Sequence, residues 1–313
     1  MGSNVTFARR AAGADASRLG AILDRALAAG PTAVFCATAS AAPPDGALSP
    51  GRARIFLGLS GVRRMRIARS GQIRDVRLRT GQALFAGAAT WHCSLPKRPH
   101  TVLSIIFDPA YTHVTCKGLT RHRGRVRAVP GVTHSLGVRT GGVAGGLVAA
   151  LSGIAGTELE GRTALSLARA LLLVMRRDLA AERPGVSKGR AAFMAACAHL
   201  RDNYHLPLTR DAVARELGIH PNHLSRLFRV HGARGFADQL THVRMEAAAL
   251  MLRGYALSVK EVAARCGYDS ANYFGKVFRR SYGESPGAFA ARHGDVDAGT
   301  AARDRPRWRR GGG

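Results

Sequence analysis

The sequence predicts an α+β chain: a β-sandwich or jelly roll with an attached helical segment, followed by an all-α C-terminal domain. Three observations carry this. Between Arg52 and Phe107, short apolar runs alternate with arginine and are punctuated by glycine, the pattern of short strands joined by tight turns. From 142 to 183 the apolar spacing becomes helical. From Ala191 to Ala290 one short helical message is written twice.

In chain order, residues 1–50 are Ala-rich and form an N-terminal arm or helix. Leu19, Ile22, Leu23, Ala26 and Leu27 make a short amphipathic helix stopped by Gly30-Pro31, and Pro43-Pro44-Asp45-Gly46 reads as a loop. The helix is read either as an arm folding over a pocket or as a packing helix. Residues 51–140 are the predicted β unit. Ile55 to Leu59 is an apolar strand ending at Gly61. Met65 and Ile67 alternate with Arg64, Arg66 and Arg69, and Val76 and Leu78 with Arg77 and Arg79, around a Ser70-Gly71 turn. That is a hairpin with one apolar and one arginine face. The arginine face suits an acidic ligand or simply solvent. Ala83–Ala86 and Val102–Phe107 follow as strands, and Lys117 to Arg139, with His113, His122 and His134 nearby, reads as a basic loop region without ligand spacing.

The run Gly81 to His92 resembles the second cupin motif through Gly81 and His92, with Gly87 and Ala89 replacing its Pro and second Gly. The histidine pair and glutamate of the first cupin motif are absent between Arg54 and Arg79. The resemblance implies a cupin-like fold without its metal, since a metal needs three or four convergent ligands. Trp91 and His92 are candidate effector-binding residues, an aromatic face for stacking and an imidazole for hydrogen bonding. The alternative is a core tryptophan and a satisfied strand-end histidine.

In 141–183, Leu165, Leu167, Ala168, Leu171, Leu172 and Met175 form a broad apolar face, with Leu147, Val148, Leu151 and Ile154 on a partner helix. The face is suited to dimerisation or to packing on the chain's own sheet. Residues 184–190 read as a linker.

Within 191–292, Val213-Ala214-Arg215-Glu216-Leu217-Gly218 and Val262-Ala263-Ala264-Arg265-Cys266-Gly267 are paired copies, 49 residues apart up to the glycine and 50 beyond it. Each is a short amphipathic helix, a glycine-centred turn and a second helix, which describes a helix-turn-helix. Thr209 caps the first opening helix. Ser258 with Glu261 forms a capping box on the second. Pro221 and Ser270 mark the starts of the second helices. Their buried stripes are Leu224, Leu227, Phe228 and Phe274, Val277, Phe278, which leaves Asn222, Ser225, Arg226 and Ala271, Asn272, Lys276 facing outward. His223, Arg229 and Arg279 complete the candidate DNA-binding set. Such side chains match base edges and phosphates: Asn pairs with adenine, Arg and Lys with guanine or phosphate. Phe236, Leu240, Val243, Ala247, Leu250 and Met251 predict one connecting helix. A stiff connector suits two readers set one duplex turn, ~34 Å, apart.

Residues 191–290 resemble the DNA-binding domain of the AraC/XylS family of bacterial transcription regulators. The likeness rests on Ala214, Gly218, the run Leu224 to Phe228, Arg244, Ala248, Leu252, Val262-Ala263, Gly267-Tyr268, Tyr273-Phe274, Phe278 and Gly283-Glu284-Ser285-Pro286. His220 stands where a Ser cap is usual, and Ala233 to Phe236 replaces the first Gly-x-Ser-Pro/Phe. The resemblance implies double-stranded promoter DNA as partner, with RNA polymerase, a second copy of the chain and a small effector as further candidates. Residues 293–313 read as a disordered basic tail.

The net charge is +27, which favours a polyanionic partner. Its distribution does not single out the predicted reader: residues 1–140 hold 21 Lys/Arg against 5 Asp/Glu, and residues 191–290 hold 13 against 8. Five scattered cysteines fit a reducing cytoplasm and neither a zinc knuckle nor a disulfide framework. No membrane span, cofactor or catalytic constellation is expected. Two rivals stand beside the regulator: an AraC-type reader fused to a DNA-repair or metal-cupin enzyme, and a non-specific nucleic-acid binder.

Overall fold

A computed structural model describes residues 4–44, 47–48, 51–95, 98–108, 112–122, 125–136, 142–181 and 188–294. The N-terminal unit contains α1 (Asn4–Ala29), then β1 (Ala33–Ala37), β2 (Ala53–Arg69), β3 (Gln72–Arg79), β4 (Gln82–Ala86), β5 (His92–Leu95), β6 (His100–Phe107), β7 (Thr112–His122) and β8 (Arg125–Leu136). Helices α2 (Gly142–Ile154) and α3 (Glu160–Ala181) follow. The main sheet runs β1-β4-β2-β6-β7-β8, while β3 and β5 flank the far half of β2. Among the described strands, only the β1–β4 pair is parallel.

Strand β2 belongs to both layers. Its first half pairs with β4 and β6, its second with β3 and β5. The expected break at Gly61 is instead a bend within one strand. The register slips between Gly58 and Ser60, and a Cβ on Gly58 would meet the Arg79 carbonyl at 2.2 Å. Gly61 has φ +66°, so the bulge turns the chain without ending the strand. The β2–β3 turn is as expected: Ser70 (φ 49°) and Gly71 (φ 73°) give the two left-handed residues of a type I′ hairpin.

The two layers enclose Phe56, Met65, Ile67, Val76, Leu78, Leu84 and Val102. The arginine face is outside, with Asp75 bonded to Arg66 at 2.6 Å and to Arg64 at 3.3 Å. The other face of the main sheet, with Ile55, Leu57, Phe85, Leu103 and Ile105, is covered by Leu19 and Leu23 of α1, Leu151 of α2, and Ala168, Leu171, Leu172 and Met175 of α3. The broad apolar face of α3 therefore packs on its own sheet, leaving Leu173 outside at 53% exposure. Glu160, buried at the start of α3, accepts from the backbone amides of Cys36 and Gly156 and pairs with Arg69 at 2.9 Å.

Four expectations change. Residues 112–122 and 125–136 form the paired strands β7 and β8 instead of a loop, because β-branched residues such as Val114 and Thr115 favour a ladder despite the intervening charge. Helix α1 is longer than the five-residue apolar stripe implied. The sequence pattern shows no helical period beyond Pro286, yet Ser285 caps a short helix, α10, that buries Phe289. Of the linker, residues 188–190 already belong to α4, and the remainder, like 295–313, lies outside the described residues.

The C-terminal unit comprises α4 (Lys188–Asn203), α5 (Arg210–Glu216), α6 (Pro221–His231), α7 (Phe236–Gly254), α8 (Val259–Arg265), α9 (Ala271–Tyr282) and α10 (Pro286–His293). They share one core, from Leu200 and Tyr204 through Val243, Ala248 and Met251 to Phe274 and Phe278.

Charges join the two units. Asp108 pairs with Arg52 at 2.9 Å and with Arg201 of α4 at 3.2 Å. Arg52 also reaches Glu246 of α7 at 3.5 Å. Buried Arg54 of β2 bonds Asp202 of α4, which Lys117 approaches at 3.9 Å. Burial opposes ionisation of Asp202, but Arg54 and Lys117 outweigh it and hold its carboxyl down to about 2. Tyr255, at the end of α7, donates to the Ala89 carbonyl at 3.3 Å.

Burial, with Arg54 and Arg63 nearby, holds His92 well below its ordinary value, and burial also lowers His100, His199 and His205. Groups depressed in the folded state contribute stability above their unfolded value that is lost as pH falls. Thermal unfolding should therefore show Tm falling from pH 7.5 to 5.5, with a further loss below pH ~4 as Asp202 protonates. A flat Tm from 7.5 to 5.5 would contradict the neutral burial of these imidazoles.

Candidate nucleic-acid interface

Each half of the repeat is built by local signals. Thr209 accepts from the Ala212 amide, and Ser258 with Glu261 closes a complete capping box. Gly218 (φ +65°) and Gly267 (φ +76°) take the left-handed turn after α5 and α8. At Gly267 a Cβ would meet the His205 carbonyl at 2.9 Å, so close approach as well as backbone conformation requires glycine. His220, in place of the usual Ser, still caps α6: its ring Nδ1 accepts from the Asn222 amide at 3.2 Å. Ser270 caps α9.

Helices α6 and α9 bury one stripe each, Leu224, Leu227, Phe228 and Phe274, Phe278, with Val277 half-buried. The faces left outward correspond across the repeat. Fifty residues separate Asn222 from Asn272, Arg226 from Lys276, and Arg229 from Arg279, and all six are exposed. They recur at helical intervals on each helix and so form one polar stripe per helix. His223 and Ser225 are half-buried, and His223 Nδ1 lies 3.2 Å from an Arg226 guanidinium nitrogen. Ala271 departs from the outward position expected of it: its methyl is half-buried against the helical core. Tyr273, the repeat partner of His223, is 61% exposed beside Asn272. In the sequence Tyr273 enters only through the family resemblance, although an aromatic between a predicted outward residue and a predicted buried one is a signal for this position.

Arg244 of α7 ties the halves together. Its guanidinium donates to the Tyr204 and Leu206 carbonyls, both at 2.9 Å, and lies over the Tyr268 ring at 5.2 Å. It thus fastens the segment after α4 to the turn between α8 and α9. The thiol of Cys266, beneath that turn, is pushed up to about 12 by burial, so it stays protonated and behaves as an apolar filler.

In the N-terminal unit, Trp91 is buried and its indole donates to the Ala41 carbonyl at 2.7 Å. His92 is also buried, edge-on to Phe56 at 5.0 Å. Neither lines the cavity of about 340 Å³ that lies between α1 and the main sheet. Among the described residues, no three His, Cys, Asp or Glu side chains are grouped to hold a metal, and no helix is long and apolar enough to cross a membrane.

Two capped helix-turn-helix units on one core, each presenting an Asn–basic–Arg stripe, define a DNA-binding protein of the double helix-turn-helix class. A helix-turn-helix domain family model matches residues 213–292. The uncharacterized HTH-type transcriptional regulator YpdC of Escherichia coli (strain K12) is 34% identical over 225 residues, 71% of this chain and 77% of the relative. YijO of the same organism, also an uncharacterized HTH-type transcriptional regulator, is 39% identical over 42% of this chain and 46% of its own length. The HTH-type transcriptional regulator GlxA of Rhizobium meliloti (strain 1021) is 35% identical over 38% and 36%. Among solved structures, a DNA-binding transcriptional dual regulator from Escherichia coli K-12 is 31% identical, covering 32% of this chain and 96% of its own, with a TM-score of 0.31. The chain belongs to the AraC/XylS family of helix-turn-helix transcription regulators, and double-stranded DNA is its partner.

Replacing Arg244 by Ala should cost roughly 2–4 kcal/mol, since it removes two charge-assisted hydrogen bonds and a ring contact. Urea unfolding of the variant measures this. Stability within 0.5 kcal/mol of the parent would show that the fastening contributes little.

Proposed function

We propose that the chain is a sequence-specific regulator whose helices α6 and α9 read consecutive major grooves. Asn222, Arg226, Asn272 and Lys276 contact base edges; Arg229 and Arg279 contact phosphate. His223 orients Arg226, and Ser225 and Ala271 line the helix edges near the bases. The observation that carries this reading is the recurrence of the same polar stripe at a fixed offset of 50 residues on two exposed helices. The connector α7, with 19 residues, is about 28 Å long at 1.5 Å per residue, a spacing compatible with readers one duplex turn apart.

The N-terminal unit senses an effector and acts on the reader through its docking contacts on α4 and α7. This is favoured by the position of Arg52, Arg54 and Lys117, which grip helices that support the readers and do not belong to the exposed stripes. Pairing of two copies would use the outer surface of α2 and α3, where Val143 and Leu173 are exposed.

Selection of bound fragments from a random DNA pool should return two short half-sites about ten base pairs apart. On that site, Arg226→Ala or Lys276→Ala should each cost about 1–3 kcal/mol and relax preference at one position. Uniform weakening across all sequences with a shallower salt slope would instead assign the residue to phosphate. Affinity equal for every duplex would leave only a non-specific binder. Asp202→Asn, far from the stripes in sequence, should change full-chain affinity for the site severalfold by loosening the docked unit. Titrations giving parental affinity would remove the docking contacts from regulation.

A further inference from the structure

We propose that the cavity between α1 and the main sheet binds a small, largely apolar carboxylic acid, with Arg25 as counter-ion for the carboxylate. The proposal deepens the sensing role above; its consequence for DNA rests on that reading, whereas the binding itself does not.

The space arises from side-chain size. Leu19 and Leu23 seal the first part of the described α1 face against the sheet. One turn later the same helix presents the small side chains of Ala26 and Ala29, and the cavity opens there, with Ile22, Leu57, Leu59 and Cys116 as further walls. Its volume of about 340 Å³ is near the lower end of small-molecule sites, roughly 300–1,000 Å³. The lining is predominantly apolar, with the hydroxyls of Ser60, Thr80 and Thr101 and the guanidinium of Arg25 as its polar side chains.

Those polar groups define the ligand's head. No acidic side chain lines the cavity, and among the described residues no carboxylate pairs with Arg25. Its neighbour Asp24 is taken instead by Arg176, through bonds of 2.6 and 2.9 Å. An anion at the mouth would therefore meet an unopposed cation, and its hydrocarbon body would replace water against Ile22, Ala26 and Leu57. This site lies on the helix-covered side of the sheet, whereas Trp91 and His92 are buried apart from it.

The walls also connect to the reader. Leu57 follows Arg54 by three residues on β2, and Cys116 precedes Lys117 on β7. Arg54 and Lys117 both reach Asp202 of α4. A ligand that parts α1 from these strands shifts the same two strands that hold the DNA-binding unit.

The test is calorimetric titration of the full chain with hexanoate and with hexanamide, its uncharged counterpart. The parent should bind hexanoate saturably in the millimolar range or tighter, and about tenfold better than hexanamide. Arg25→Gln, at an exposed position, should erase that preference and leave hexanamide binding unchanged. Ala26→Phe should abolish both; Ala29→Phe serves the same purpose if the first variant loses cooperative unfolding. Saturable binding of neither probe to the parent, an undiminished preference in Arg25→Gln, or undiminished binding in a folded filled variant would each overturn the proposal. Specific DNA binding is measured on the same samples without ligand. Its failure would count against the regulatory reading and leave the cavity result standing.

Discussion

The whole C-terminal unit depends on burying α7 from several sides at once. Val243, Met245, Ala247, Ala248, Ala249, Met251 and Leu252 are all buried, and such a helix cannot be left in water on any broad face. It is enclosed by α4, α8, α9 and α10, and α6 joins the same core through α4 and the Phe228–Phe236 contact, so both helix-turn-helix units rest on one hydrophobic core. Phe278 shows how closely the parts depend on each other: it stacks on Tyr282 at 4.7 Å and meets Phe289 of α10 at 5.3 Å. Arg244 then adds directional bonds to a core that is otherwise non-directional. Apolar burial gathers the helices on one core, and the guanidinium fixes the turn before α9 against the segment after α4.

What was legible in the sequence was what local chemistry decides. The caps at Thr209, Ser258 and Ser270 and the left-handed glycines at 218 and 267 depend on a few neighbouring residues, and each is found where its spacing put it. The β2–β3 hairpin was legible for the same reason, because a two-residue turn fixes its register. The continuity of β2 past Gly61 was not, since it depends on β6 and β3 arriving from elsewhere in the chain. The β7–β8 hairpin was obscured by its charge, which a ladder tolerates when side chains alternate between two faces. α10 is too short and too Ala-rich to show a period; its cap at Ser285 and its anchor at Phe289 gain meaning only once Phe278 is known to lie beneath.

The same limit governs the site. Asn222, Arg226, Asn272 and Lys276 are exposed because the stripes opposite them are apolar, an inference available from periodicity alone. Ala271 could not be placed that way, since a methyl is as suited to a helix edge as to the surface, and only the shared core decides. Trp91 and His92 suggest a pocket by residue type; in the fold Trp91 is buried with Ala47 and Ala68, and His92 against Phe56. The cavity under α1 left no motif at all. It is made by what Ala26 and Ala29 lack, and an absence of side chain is visible only when the facing strand is known.

The contrast between the two interfaces of this chain bears on how it can be regulated. Inside the C-terminal unit the contacts are apolar and close-packed, an arrangement that resists graded adjustment. Between the units the described residues form the ion pairs Arg54–Asp202, Arg52–Asp108–Arg201 and Arg52–Glu246, beside the apolar contacts of Leu48 and Tyr255. Paired charges at a partly buried boundary offset much of their attraction by desolvation, so the net hold is small relative to the gross forces. Such a boundary can be shifted by a few kcal/mol, the scale of one ligand's binding energy. On the proposed reading, such a joint separates two tasks: the core would keep α6 and α9 in one arrangement, while the charged boundary would allow the presentation of that pair to change.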